Sequence, residues 1–261
     1  MTVSVQELLA QAQRESGLTD YGDDWFMGPL AAYVSDLSGP QLSEWGVAFL
    51  TRLVLKDLTR RLAIVDCLKR NPEIEETPLP PIVYITGHER SGTTLLHNLL
   101  SLHESARYLS RWELMSPTPP PEAASFSTDP RRAEVQQSID ALRGSDLERL
   151  HGVEAHDPEE CDWGLMDCTG LLGMAPALIM PNWAAWMATN DMERTFVNYR
   201  KVMQLLLWKN PVPEGGFLVL KSPQVVPYLS SFSLVFPEAN FIYLSLIHIS
   251  EPTRPSKSSR M

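Results

Sequence analysis

The sequence PIVYITGHERSGTTLLHNLL, residues 81–100, decides the fold of this 261-residue chain. Ile82–Ile85 is a short apolar run rich in β-branched residues, which predicts a buried strand. Gly87 and Gly92 interrupt the apolar pattern immediately after this run. Leucines then recur at helical spacing, at Leu95, Leu96, Leu99 and Leu100. The segment therefore predicts a strand, a glycine-containing loop and a helix in direct succession.

The two glycines have the spacing of a phosphate-binding loop. Backbone N–H groups in such a loop surround an anion, and the helix that follows points its positive dipole end at the same place. A nucleoside triphosphatase would carry a lysine where this chain has Thr93, and the loop's cation is Arg90 instead. The pattern predicts an anion-binding loop without the usual lysine, and a purely structural strand-to-helix turn is the alternative.

The string Arg90-Ser91-Gly92-Thr93-Thr94 resembles the 5′-phosphosulfate loop of sulfotransferases that use 3′-phosphoadenosine 5′-phosphosulfate (PAPS). The resemblance implies a sulfuryl transfer from PAPS to a hydroxyl or amine, with 3′,5′-ADP as product and no metal. It also implies that the donor is bound by the loop residues Gly87, His88, Glu89, Arg90, Ser91, Gly92, Thr93 and Thr94. A kinase or nucleoside triphosphatase, or a catalytically incompetent nucleotide-binding domain, is the alternative function.

A second anion-binding element is predicted at Lys221-Ser222-Pro223, directly after the buried strand Phe217–Leu220. This string resembles the Lys-Ser-Pro segment of bacterial sulfotransferases, which implies that Lys221 and Ser222 lie near the leaving phosphosulfate. In a parallel sheet the carboxyl ends of strands surround the ligand, which supports the same interpretation. A solvated lysine at a strand end is the alternative.

Glu113 is the predicted base that takes the acceptor's proton. It follows the predicted strand Arg107–Leu109, as does the catalytic glutamate of the tyrosylprotein-type sulfotransferases that this spacing resembles. The alternative is an ordinary glutamate, either on the surface or in a salt bridge, for which Arg111 is the candidate partner. Glu159-Glu160-Cys161 resembles a Pro-Glu-Glu-Cys segment near the acceptor side of the family, and predicts either a second acid/base pair or carboxylates at a helix start. The predicted catalytic set is therefore Glu113, Lys221 and Arg90.

Strands that alternate with helices predict an α/β fold, P-loop-like, with a mainly parallel sheet flanked by helices. Residues 1–78 predict a helical N-terminal region that packs on this core, and residues 79–244 the core itself. Ser43 is the predicted cap of a long helix, which reaches about Leu68. Its apolar stripe is Leu50, Val54, Leu58, Leu62 and Val65. Its predicted exposed face and end carry Lys56, Arg60, Arg61, Lys69 and Arg70.

The composition argues against some binding partners and locations. A formal net charge of −10 argues against a broad nucleic-acid-binding surface, which requires a basic face. The uncharged run Cys168–Asn190 is long enough to span a bilayer, but glycines and prolines interrupt it, so we expect no membrane span and a cytoplasmic protein. The absence of paired cysteine motifs predicts reduced thiols at Cys67, Cys161 and Cys168. The oligomeric state is left open.

A cluster of tryptophans and methionines in and beside this uncharged run has two interpretations. The side chains either fill the core or line an apolar pocket for a small-molecule acceptor. The cluster consists of Trp163, Met166, Met174, Met180, Trp183, Trp186 and Met187.

The last stretch, Ser245–Met261, changes abruptly to serine, proline, arginine and lysine and lacks apolar periodicity after Ile249. It resembles translated sequencing-adapter sequence, which predicts that the native chain continues differently after Leu244. A natural disordered tail is the alternative. The family's 3′-phosphate signature is absent from this stretch, so the sequence predicts an incomplete donor site.

Overall fold

The computed structural model describes residues 3–141, 143–144, 152–165 and 179–246. Its N-terminal region is helical, as predicted, with α1 Val5–Ser16, α2 Met27–Asp36 and α3 Glu44–Arg70. Ser4 caps α1 in a reciprocal box with Glu7, and the predicted Ser43 cap of α3 accepts a hydrogen bond from the Gly46 N–H. These caps satisfy N–H groups that have no partner within the helix.

The predicted exposed face of α3 is wrong for two arginines, one of which is Arg60, whose guanidinium nitrogens Nε and Nη2 are buried. Arg61 was expected on the exposed face, but its side chain is buried. Its guanidinium donates to the carbonyl oxygens of Tyr21 at 2.8 Å and Asp23 at 2.7 Å, and it lies 4.3 Å from the ring centroid of Phe26. A buried guanidinium is tolerated because these carbonyls replace its water. Arg61 thus ties the segment between α1 and α2 to the long helix.

The sheet has the predicted parallel architecture. In the described residues it contains β1 Ile82–Gly87, β2 Ala106–Tyr108, β3 Phe217–Lys221 and β4 Ala239–Leu244, in the order β2-β3-β1-β4. Each neighbouring pair is parallel. The carboxyl ends of all these strands therefore meet at one edge of the sheet, where α/β proteins bind ligands.

Further helices connect and cover the strands. They are α4 Thr93–Ser101, α5 Arg111–Met115, α6 Pro130–Asp140, α7 Pro181–Thr189, α8 Glu193–Trp208 and α9 Leu229–Val235. Short 3₁₀ helices lie at Pro72–Glu76, Cys161–Leu165 and Val226–Tyr228. None of the described helices is both long enough and apolar enough to cross a bilayer.

The core is continuous between the helical region and the sheet. Leu8 of α1 and Leu220 of β3 belong to the same cluster of buried residues. The core interpretation of the tryptophan–methionine cluster is confirmed for Met180, Trp183 and Met187, which are all buried. Met166, Met174 and Cys168 lie outside the described residues. Cys67 and Cys161 are buried free thiols.

Candidate active site

The loop between β1 and α4 is shaped by close backbone contacts. Gly87 ends β1 with φ of 142°, and a Cβ on it would lie 2.2 Å from the carbonyl oxygen of Leu244. Ser91 closes the turn, since its N–H and its hydroxyl both donate to the His88 carbonyl, at 3.3 and 2.6 Å. Gly92, with φ of 94°, is the N-cap of α4. The predicted strand, loop and helix are confirmed.

Arg90 occupies an unusual backbone conformation within this loop. Its φ is 64°, and it is the one non-glycine residue with positive φ in the described part of the chain. A side chain in this left-handed region is strained, so the surrounding loop must hold it there. Arg90 is exposed, as are His88, Glu89 and Thr94. The guanidinium is therefore open to an anion from solvent.

Lys221 lies at the loop rather than in solvent. Its side chain is 2% exposed, so the solvated alternative is wrong. Its Nζ lies 3.4 Å from the hydroxyl oxygen of Thr94 and 2.5 Å from Oε1 of Glu160. The register places Lys221 opposite Ile85 of β1, which explains why a lysine from a distant part of the sequence reaches the loop.

Ser222 continues this connection to β1. Its N–H donates to the Ile85 carbonyl at 3.2 Å, and its own carbonyl accepts from the Thr86 hydroxyl at 2.9 Å. Its side-chain oxygen accepts from the Gln224 N–H at 3.1 Å. Ser222 therefore fixes the turn after β3 against the start of the loop.

The predicted base Glu113 lies in a different set of contacts. It is fully buried at the start of α5, and its carboxylate pairs with Arg107 through two hydrogen bonds, of 3.0 and 2.5 Å. Oε1 also accepts from the Ser110 N–H at 2.7 Å and the Ser110 hydroxyl at 3.0 Å. Its hydrogen bonds and ion pairs within the described residues involve neither the loop nor Lys221. The catalytic role of Glu113 stays a prediction.

The prediction that Glu113 pairs with Arg111 is wrong. Arg111 pairs with Glu159 instead, at 2.6 Å, and both side chains are largely buried. Arg111 also lies 4.8 Å from the ring centroid of Trp163. Glu159 therefore anchors α5 to the segment 152–165, which supports the structural alternative for this member of the Glu159–Glu160 pair.

No sequence pattern selects Asp162 or His97 as site residues. Burial, reinforced by the negative charge of Glu160, raises the pKa of Asp162 to about 8, although a hydrogen bond with Ser222 acts the other way. Burial and the nearby Lys221 charge lower the pKa of His97 to about 4. Both side chains are therefore neutral at pH 7. Neither belongs to a recognisable motif, because their positions depend on contacts between distant segments.

The sequence model of the sulfotransferase family matches residues 81–245. The chain belongs to the sulfotransferase family. The matched region contains the loop, Glu160 and Lys221, so the geometry described above lies in the family's part of the chain. Among curated proteins, none matches this sulfotransferase-family chain.

Two solved structures show the same fold. Sulfotransferase STF1 from Mycobacterium tuberculosis H37Rv superposes with a TM-score of 0.80 at 23% identity, over 94% of this chain and 67% of its own. Sulfotransferase STF9 from Mycobacterium avium superposes with a TM-score of 0.80 at 22% identity, over 94% of this chain and 63% of its own. The sulfotransferase-family chain thus spans about two thirds of the length of these proteins.

A separate cleft of about 930 Å³ lies away from the loop. It opens between α3, the 3₁₀ helix Pro72–Glu76 and α8, and charges of both signs line it, including Asp23, Lys69, Glu75, Arg194 and Lys201. Arg194 pairs with Asp23 and Lys201 with Glu75, so this cleft lacks the positive field that a highly charged nucleotide needs.

Proposed function

We propose that this chain binds PAPS at the Gly87–Thr94 loop and transfers its sulfuryl group to a hydroxyl or amine of a small-molecule acceptor. Family membership supports sulfuryl transfer as the reaction. The observation that carries the choice of site is the position of Lys221, whose Nζ lies 3.4 Å from the Thr94 hydroxyl at the start of α4. A buried cation thus meets an N–H-rich loop at the ligand-binding edge of the sheet.

The residues fit a phosphosulfate donor. Arg90 supplies an exposed guanidinium, whose planar fork suits sulfate and phosphate oxygens. The loop N–H groups and the N-terminus of α4 supply further donors, and Ser222 holds the turn that carries Lys221. Negative charge develops on the bridging oxygen as the sulfur–oxygen bond breaks, and a lysine placed beside the loop stabilises it.

A nucleotide-binding protein of the kinase type remains the competing function, because the loop spacing is shared. We propose that the two functions differ in which part of the chain supplies the lysine of the nucleotide site. In this chain Thr93 stands at the lysine position of the loop, and the buried lysine comes from β3. Since the two functions use different nucleotides, binding preference separates them.

Calorimetric titration with 3′,5′-ADP, and with ATP and Mg²⁺, tests the proposal. We expect 3′,5′-ADP to bind without Mg²⁺, and Lys221→Met to weaken this binding at least about tenfold, as expected for loss of one charged contact of about 1.4 kcal/mol or more. Lys209→Met is the matched control, because Lys209 is exposed and pairs with Glu122. Tighter binding of ATP, or equal effects of the two lysine substitutions, would contradict the proposal.

A further inference from the structure

We propose that Glu160 is the general base of this sulfotransferase site, and that the donor releases it by taking over Lys221. This inference rests on the proposed function. It assigns Glu160 and Lys221 to a latch, by which we mean their ion pair of 2.5 Å between Oε1 and Nζ. The latch is closed in this structure, and it opens when the anion of the donor binds the lysine.

The two members of the latch differ in exposure. The Lys221 side chain is 2% exposed and the Glu160 side chain 22% exposed. The lysine therefore faces the buried side of the pair, toward Thr94 and the loop, whereas the Glu160 side chain is partly open to solvent. An acceptor that enters from solvent can reach Glu160, and the donor in the loop can reach Lys221.

Neighbouring carboxyl groups at this edge of the sheet are either paired with arginines or protonated. Glu159 is 1% exposed and pairs with Arg111, and Glu113 is fully buried against Arg107. Asp162 is buried and keeps its proton, because burial and the charge of Glu160 raise its pKa to about 8. Among these acids Glu160 alone combines a negative charge with a partly exposed side chain.

The charges around Lys221 favour the replacement of Glu160 by the donor anion as its partner. A buried ammonium requires an anionic partner, because burial removes its water. His97 and Cys161 also lie close to Lys221, but both are neutral: burial and the lysine charge lower the pKa of His97 to about 4, and burial raises the pKa of the Cys161 thiol to about 12. Glu160 is therefore the counter-ion before the donor binds. A phosphosulfate beside Thr94 offers stronger negative charge, and Glu160 then loses its cation.

The released carboxylate can accept a hydrogen bond from the acceptor, because Lys221 no longer occupies its Oε1. In the proposed step, the acceptor oxygen or nitrogen forms a bond to sulfur and gives its proton to Glu160. The bond between sulfur and the 5′-phosphate oxygen breaks, and its electron pair stays on that oxygen, giving 3′,5′-ADP. The latch thus makes the base available only when the donor is bound.

Glu160→Gln tests the latch on the full chain through two readouts. The first is calorimetric titration with 3′,5′-ADP, which we expect to bind about tenfold more tightly, since Lys221 loses its competing partner. The second is release of 3′,5′-ADP from PAPS, with water and with a panel of phenols, alcohols and amines. We expect this rate to fall at least about 100-fold, within the range of lost general-base catalysis.

Glu160→Asp and Glu104→Gln complete the design. Glu160→Asp keeps a carboxylate and should recover part of the rate and the acid limb of the pH profile, which Glu160→Gln loses. Glu104 is exposed in the turn before β2, at the opposite edge of the sheet, so Glu104→Gln should match wild type. A wild-type rate in folded Glu160→Gln, or weaker 3′,5′-ADP binding by it, would overturn the latch. Failure of wild type to bind 3′,5′-ADP would instead overturn the proposed function.

Discussion

Gly87 and Leu244 are register partners at the carboxyl ends of β1 and β4, and their backbones touch so closely that a Cβ on Gly87 would stand 2.2 Å from the Leu244 carbonyl oxygen. The start of the anion-binding loop is therefore fixed by the pairing of two strands that lie far apart in sequence. Any side chain at position 87 must either separate these strands or move the loop.

Gly87→Ala is expected to lower the free energy of unfolding by at least about 2 kcal/mol, because the new methyl group meets backbone and φ of 142° disfavours a side chain. Urea denaturation measures this change. Gly215→Ala is the control, since it has positive φ but no atom within 4 Å of an added Cβ. Equal destabilisation by both substitutions would show that backbone conformation alone, and not the contact with Leu244, requires glycine at position 87.

Arg90→Gly distinguishes two effects of Arg90: its backbone conformation affects stability, and its charge affects donor binding. Relief of a left-handed φ of 64° gains about 1 kcal/mol, and the added freedom of glycine in the unfolded chain costs about 0.5–1 kcal/mol, so stability should stay nearly constant. Binding of 3′,5′-ADP should weaken about tenfold or more through loss of the guanidinium. Thermal unfolding and calorimetry check the two parts.

Arg90→Lys is the companion substitution for this prediction. It retains the positive charge and the strained backbone but lacks the planar fork. Its affinity should lie between those of wild type and Arg90→Gly. If Arg90→Gly bound 3′,5′-ADP as tightly as wild type, the guanidinium would have no part in donor binding.

The parts of the fold that the sequence predicts are those with local signals. Apolar β-branched runs identified β1 and β3, and glycine spacing identified the loop between β1 and α4. Ser43 identified the start of the long helix, because a cap acts on N–H groups within one turn. Each of these features depends on residues that are close in sequence.

The errors concern contacts between distant segments. Arg61 was expected in solvent because helical spacing placed it beside other basic residues, yet the carbonyls of Tyr21 and Asp23 bury it. Glu113 was expected to pair with Arg111, but Arg111 pairs with Glu159 of a distant segment, and Glu113 pairs with Arg107 of β2. Ion-pair partners depend on the direction of side chains in the folded chain, which spacing alone does not determine.

Asp162 is expected to make stability depend on pH. Its pKa of about 8 in the folded chain lies above the ordinary 3.8, so the folded state holds a proton that the unfolded chain releases. The stabilising contribution is complete below about pH 3.8 and is lost as pH rises toward 8. Asp162→Asn stays neutral, so its stability relative to wild type should increase between pH 4 and 8, by up to about 1.4 kcal/mol per pH unit.

Urea denaturation at pH 5, 6, 7 and 8 measures this slope, with Asp140→Asn as control. Hydrogen bonds from Gln136 and Arg143 lower the pKa of Asp140, so this carboxylate is ionised in both states above pH 5. Its replacement should therefore shift stability by the same amount at each pH. A pH-independent difference for Asp162→Asn as well would mean that Asp162 is ionised in the folded chain.

Glu113→Gln distinguishes a structural glutamate from a catalytic one. Its buried carboxylate holds Arg107 in two hydrogen bonds and caps α5 through Ser110. Neutralising it leaves a buried guanidinium without its counter-ion, which should lower the free energy of unfolding by about 3 kcal/mol. Urea denaturation measures this loss. The rate of 3′,5′-ADP release from PAPS, per folded molecule, should change less than about tenfold, because Glu160 is proposed as the base.

Arg107→Met supplies the partner for a double-mutant cycle. Arg107 is 11% exposed and Glu113 is fully buried, so each single substitution should leave one buried charged or polar group without its partner. The double variant should therefore lose less unfolding free energy than the sum of the two single variants. A coupling energy of about 1–3 kcal/mol is expected for such a contact. Full stability of Glu113→Gln together with a 100-fold loss of rate would contradict this account, and would restore Glu113 as the base that the sequence pattern predicts.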